Sequence, residues 1–169
     1  MRILASAAVV ALLAPIWACS APIDLKRALQ VTDVTSGYFD AGIVGGKNKI
    51  VPAISFRLKK SVSDSLRPLS VNVSFKQLPQ AGTAVAPGSP AENDWDEVFI
   101  QNVPFEGDQS GPLTFKAKNG YTGDPPQSRS DILKHRLFQD VRVHVFAKHS
   151  ASQWAEIAAF DIPRQLLAQ

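Results

Sequence analysis

Two stretches of strict alternation limit what this chain can fold into. In the first, Ile50, Pro52, Ile54, Phe56 and Leu58 share one face, and Val51, Ala53, Ser55, Arg57 and Lys59 share the other. In the second, Leu69, Val71, Val73 and Phe75 alternate with Ser70, Asn72, Ser74 and Lys76. A period of two marks a half-buried β-strand; on a helix the same apolar side chains would scatter around the axis. The pattern recurs at Leu113, Phe115 and Ala117, and at Val141, Val143, Val145 and Ala147. Leu29, Val31 and Val34 open a first strand ending near Tyr38-Phe39; Trp95–Val103 reads as a strand without a clear phase, and Trp154–Ile162 as the last, stopped by Pro163. About seven strands spaced by turns, with no helical alternation between them, predict an all-β, antiparallel two-sheet sandwich.

Local signals refine this reading. The first two stretches match in length and phase across the polar turn Lys60–Arg67, which predicts an antiparallel hairpin. Pro52 has no N–H to give a ladder, so it predicts a sheet edge or a strand start. Leu78–Asp94, rich in Pro, Gly, Ala and Ser, reads as a long exposed connection. One short helix is expected at Asp131–Phe138, with Ser130 as N-cap and Leu133, Leu137 and Phe138 on its apolar face. The predicted core holds Ile54, Phe56, Val71, Val73, Phe75, Phe115, Val143 and Val145.

The first residues say where the chain goes. Arg2 precedes an unbroken run of apolar or small residues from Ile3 to Ile16, 14 in all. That suits the apolar core of a signal peptide and falls short of the roughly 20 residues that span a bilayer. The run leads into Ile16-Trp17-Ala18-Cys19, which resembles the lipobox of bacterial lipoproteins, with an aliphatic residue at −3, a small one at −1 and then the cysteine that is lipidated. The large Trp17 at −2 departs from the usual pattern. The resemblance implies a signal peptide over residues 1–18, a lipidated Cys19 with a tether over 19–27, and a domain over 28–169. It also implies a periplasmic protein held in the bilayer by an N-terminal acyl anchor. Ser20 after the cysteine, in place of the Asp of lipoproteins retained in the inner membrane, implies the outer membrane. Cleavage after Ala21, giving a soluble secreted protein, is the alternative.

A second resemblance covers Ile50–Leu78 and Asp140–Ile162, about half of the mature chain. These stretches are similar to the small immunoglobulin-like domains of exported bacterial proteins, including the FxLYD type. The Leu-Tyr-Asp signature itself is replaced, since Lys76-Gln77 follows Phe75. The resemblance implies an immunoglobulin-like sandwich and an adhesive or scaffolding role with an envelope protein as partner.

Composition narrows the functional classes. In 169 residues, 18 Lys and Arg oppose 15 Asp and Glu, a charge of +3 and too mild for an obligate nucleic-acid binder. One Cys excludes a disulfide framework, and with three His little remains for a zinc site. Ala41-Gly42-Ile43-Val44-Gly45-Gly46-Lys47-Asn48 has the spacing of a phosphate-binding loop, but Asn48 replaces the Ser or Thr that holds magnesium, and a strand follows where a helix should. It reads as a glycine turn between strands. His144 and His149 fall in opposite phases and diverge; His144 shares the face of Arg142 and reads as a solvated surface residue, with His135 on the helix. Asp94, Asp96 and Glu97 read as a solvated acidic turn, since the Gly and Asp spacing of a calcium loop is missing. Ser110, in Gly107-Asp108-Gln109-Ser110-Gly111, is offset from a nucleophile turn, and the Asn72-Val73-Ser74 sequon lies mid-strand.

No cofactor, metal site or catalytic set emerges, and the reading is of a non-catalytic binding or scaffolding module at a membrane surface. The alternative is a periplasmic carrier of a small hydrophobic ligand or lipid, with Trp95 and Tyr121 gating a cleft. The outward cations are expected to divide between the sheets, with Arg57, Lys59, Lys116 and Lys118 on one and Lys76, Arg142 and Lys148 on the other. Cys19→Ala is expected to abolish acyl labelling and release the protein from membranes. A mature N-terminus at Pro22 without lipid mass would contradict the anchor.

Overall fold

The computed structural model describes residues 23–61, 66–80 and 92–168. The leader, Cys19 and most of the 78–94 connection lie outside the described residues. In chain order the strands are β1 (Leu29–Val44), β2 (Lys47–Lys60), β3 (Leu69–Gln77), β4 (Asn93–Ile100) and β5 (Phe105–Glu106). They continue with β6 (Gln109–Ser110), β7 (Leu113–Lys116), β8 (Tyr121–Gly123), β9 (Val141–His149) and β10 (Ala155–Asp161). Two short helices, α1 (Leu25–Ala28) and α2 (Arg129–Lys134), complete the elements. The described strands exceed the expected seven because β5, β6 and β8 are only two or three residues long, too short to display a period.

The strands form two antiparallel sheets. In sheet A, β2 pairs with β1 along one side and with β6, β7 and β8 along the other. Sheet B runs β10-β9-β3-β4. The chain thus makes two strands of sheet A, crosses to B, returns beside β2, and crosses again beside β3, which is the Greek-key order of an immunoglobulin-like sandwich.

The expected hairpin between Ile50–Leu58 and Leu69–Phe75 does not exist. Their strands lie in different sheets, and the hairpin partner of β2 is β1. Alternation assigned the faces correctly, because Ile54, Phe56 and Leu58 from sheet A and Leu69, Val71, Val73 and Phe75 from sheet B are all fully buried. The Phe56 and Phe115 rings stack at 5.5 Å inside this layer. The β1–β2 turn is Gly45-Gly46, both at positive φ, as a tight two-residue hairpin requires. The glycine-rich stretch is therefore a turn between strands.

Pro52 also departs from expectation, because it lies mid-way along the central strand β2. Its neighbour Tyr38 directs its N–H and C=O away from β2, to Gln165 O at 2.8 Å and Leu167 N at 2.9 Å. Tyr38 and Pro52 are therefore a non-hydrogen-bonded pair, and the missing N–H of Pro52 faces the other side. There Ala117 N still donates to the Pro52 carbonyl at 3.0 Å, but Pro52 has no N–H to return, so the β7 ladder stops at Lys116 and β8 begins only at Tyr121. Gly120 closes that gap: a Cβ on it would lie 2.1 Å from the Ile50 carbonyl oxygen.

The N-cap of α2 is Ser128, two residues before the expected Ser130. Ser128 and Asp131 form a reciprocal capping box, each side chain accepting the other's backbone N–H. Leu133 and Phe138 are buried as expected, whereas Leu137 points to solvent. Within the stretch read as tether, Leu25 is already buried in α1, which packs against β9 and β10.

Phe56→Ala and Phe75→Ala are each expected to cost about 3–5 kcal/mol in chemical denaturation, through lost burial and the cavity left behind. Tyr38 makes a separate test. Its hydroxyl is buried without a hydrogen-bond partner among the described residues, and burial pushes its phenol far above the ordinary range. As pH rises past about 10 the unfolded chain gives up this proton while the native one holds it, so stability falls. Tyr38→Phe should leave neutral-pH stability equal or up to about 1 kcal/mol higher and weaken that alkaline loss.

Candidate functional site

The outward face of sheet B gathers most of the unusual side chains. Register places Asn72 of β3 directly between Phe146 of β9 and Phe99 of β4. The next row is His144, Ser74 and Glu97, and the one beyond it Arg142, Lys76 and Asp94. From β10, Glu156 stands opposite Phe146, and Asp161 opposite Arg142. A bulge between Glu156 and Ala158 sets the position of the glutamate.

A chain of ion pairs crosses this face. Arg142 binds Asp161 through two bonds of 2.7 and 3.2 Å and reaches Glu92 Oε1 at 3.2 Å. The other oxygen of Glu92 lies 2.8 Å from His144 Nε2, and Glu156 Oε1 lies 2.9 Å from His144 Nδ1. A neutral imidazole has one N–H and can donate to only one carboxylate; a ring protonated on both nitrogens donates to both. His144 does share the face of Arg142, but its side chain is only 15% exposed, not solvated. Hydrogen bonds from Arg142 hold the Asp161 carboxyl below its usual range, and the aspartate in turn raises the guanidinium.

Beside this network lies an apolar row. Phe99 is 62% exposed, although it stands on a strand whose opposite face is packed. Asn72 Oδ1 is buried with no hydrogen-bond partner among the described residues. Trp154, 43% exposed, sits at the β9–β10 turn under Lys148 Nζ, 5.9 Å from the ring centre. This is a surface with fixed charges and uncovered aromatics.

The other candidates are dispersed. Ser110 is buried, its Oγ accepting from Leu58 N at 2.9 Å and donating to Gly111 O at 2.7 Å, so the hydroxyl is fully committed. Asp94, Asp96 and Glu97 lie in β4 instead of a turn. Asp94 pairs with Lys76 at 3.3 Å, and Asp96 accepts from the backbone of Lys118 and Asn119, tying β4 to sheet A. His149 lies in the inward phase opposite Leu69, diverging from His144, while His135 caps the C-terminus of α2. Among the described residues, no three His, Cys, Asp or Glu side chains are grouped to hold a metal ion. The outward cations divide as expected, those of β2 and β7 on sheet A and those of β3 and β9 on sheet B.

Trp95 and Tyr121 meet each other at 5.0 Å within an aromatic cluster that includes Phe138 and Tyr38. The Tyr121 hydroxyl donates to Gln139 O at 2.7 Å and accepts from Gln77 Nε2 at 3.1 Å, which fixes the ring. Three surface clefts of about 380, 160 and 380 Å³ are lined by loop, helix and tail residues, with Arg67, Tyr121 and Arg164 respectively among them.

Glu92, Glu156 and Phe99 were not visible as site residues in the sequence. Glu156 lies 12 residues after His144, across the turn between the last two strands, and that pairing was the one available signal. Among the described residues no helix is long and apolar enough to cross a membrane. No protein-family model, curated protein or solved structure matches the chain.

The Arg142–Asp161 pair makes a pH-dependent contribution. With its pKa depressed in the native state, Asp161 stabilises the fold above about pH 4, the ordinary range of its carboxyl, and this is lost as pH falls through the native value. Asp161→Asn should flatten the acid limb of a stability–pH curve relative to the parent. An unchanged acid limb would mean that the pair is not formed in solution.

Proposed function

We propose that this protein is a non-catalytic binding or scaffolding module of a bacterial envelope, held at the membrane by an acylated Cys19, and that it engages a protein partner through the outward face of sheet B. The observation that carries the reading is the exposed ring of Phe99 in line with Asn72 and Phe146, beside a network of paired charges. Exposed aromatics set among charged groups are the composition of protein-binding surfaces, where a few large side chains contribute most of the affinity. The commitment of Ser110 Oγ to the Leu58 N–H and the Gly111 carbonyl supports a non-catalytic role. The likeness of Ile16-Trp17-Ala18-Cys19 to a lipobox, after the apolar run Ile3–Ile16, supports an address in the periplasm at the outer membrane.

The carrier reading finds less support. Inward side chains from both sheets fill the layer between them, and Tyr121 is pinned by two hydrogen bonds where a gate would have to swing.

A photo-crosslinking residue at position 99 of the full-length protein, expressed in a bacterial envelope, tests this directly. A discrete adduct with an envelope protein is expected there, and none from position 114 on the outward face of sheet A. Equal labelling at both positions, or none at 99, would overturn the choice of face.

A further inference from the structure

We propose that the pole of the sandwich where the described chain begins is a membrane-docking surface, resting on the phospholipid headgroups with Trp154 at the interface. This rests on the reading of Cys19 as the lipid anchor and adds to it which part of the domain meets the bilayer. From Cys19 to Ile23 there are four Cα steps, which cannot exceed about 14 Å even when fully extended. Ile23 leads directly into α1, whose Leu25 and Ala28 are buried, so no further chain can pay out between anchor and domain. The domain has to sit against the surface that holds its lipid.

Topology fixes which residues lie at that pole. Leu29 pairs with Lys60, the N–H of Ser61 donates to Ala28 O, and Leu69 pairs with His149. Ser150 N donates to Pro68 O, and Val103 N to Leu69 O. The start of β1, the end of β2, the start of β3 and the β9–β10 turn with Trp154 are therefore neighbours. The opposite pole carries the Gly45-Gly46 turn, α2 and Trp95. β3 alone, at nine residues, separates the two ends by about 30 Å.

The chemistry of this pole suits headgroups. Lys26, Lys60, Arg67 and Lys148 have no carboxylate within 4 Å among the described residues, unlike Arg27 with Asp24 at 3.6 Å and Lys59 with Asp108 at 3.9 Å. Two of these cations lie over aromatic rings, Lys148 over Trp154 and Lys60 over Phe105 at 5.3 Å. An exposed indole beside cations is the pairing found at membrane interfaces, where the ring enters the headgroup layer and the charges meet phosphate.

The mature chain carries two tryptophans, one at each pole, so the orientation can be read optically. The full-length lipidated protein, as Trp95→Phe and as Trp154→Phe, is reconstituted on phosphatidylcholine–phosphatidylglycerol vesicles containing brominated phospholipid. Emission from Trp154 should shift to the blue and be largely quenched, while that from Trp95 stays unquenched. Protein that floats with the vesicles but shows equal quenching of both tryptophans, or stronger quenching of Trp95, overturns the docking surface and leaves the anchor intact. Protein that fails to float with the vesicles overturns the anchor, and the docking surface with it.

Discussion

Burial of two apolar faces against each other is the constraint on which the rest of this protein depends. Neither the Ile54–Phe56–Leu58 face of β2 nor the Leu69–Phe75 face of β3 can be left in water. Each fully buried aliphatic or aromatic side chain contributes about 1.5–3 kcal/mol. An exposed ion pair of the kind decorating the outer faces contributes about 0–1 kcal/mol. Packing therefore decides where each strand goes, and charges are distributed over what remains. Because the two inner faces are used up on one another, the outward sets on the two sheets point in opposite directions. That separation gives sheet B a surface of its own.

Specific polar contacts close the sandwich at its edges and ends. Asp96 on the edge strand β4 holds the Lys118–Asn119 backbone of sheet A. The chain after Pro163 covers part of the other edge, pairing in parallel with Tyr38 of β1. Arg164 binds Asp140 at 2.6 Å and lies over the Phe138 ring at 4.9 Å, fastening that tail to the aromatic cluster. Acidic side chains on β4 also make it a poor template for another strand. The exposed aromatics thus stand on a face whose flanking edge is guarded, which favours face-on contact over strand addition.

Alternation made the faces of β2, β3, β7 and β9 legible, because each runs long enough to repeat. It could not name partners: equal length and phase on either side of Lys60–Arg67 are as compatible with a crossing between sheets as with a hairpin. β8 was missed because Tyr121–Gly123 shows no period in three residues. Ser130 and Ser128 are equally good caps by type, and only the return bond from Asp131 separates them. The phase of His144 was readable but its surroundings were not. Its two carboxylates come from Glu92, at the end of the long connection, and from Glu156, across a turn and beside a bulge. The proposed lipidation of Cys19 rests on residues 1–19 alone, by their likeness to a signal peptide and lipobox.

The functional account stands on β2 and β3 belonging to different sheets, since a β2–β3 hairpin would put their outward residues on one continuous surface. Cross-strand backbone nuclear Overhauser effects on the folded domain test this most directly. Contacts of Val73 with Val145 and Val98, and of Ile54 with Phe115 and Ser36, are expected. Backbone contacts running between Ile50–Leu58 and Leu69–Phe75 as paired neighbours would contradict it.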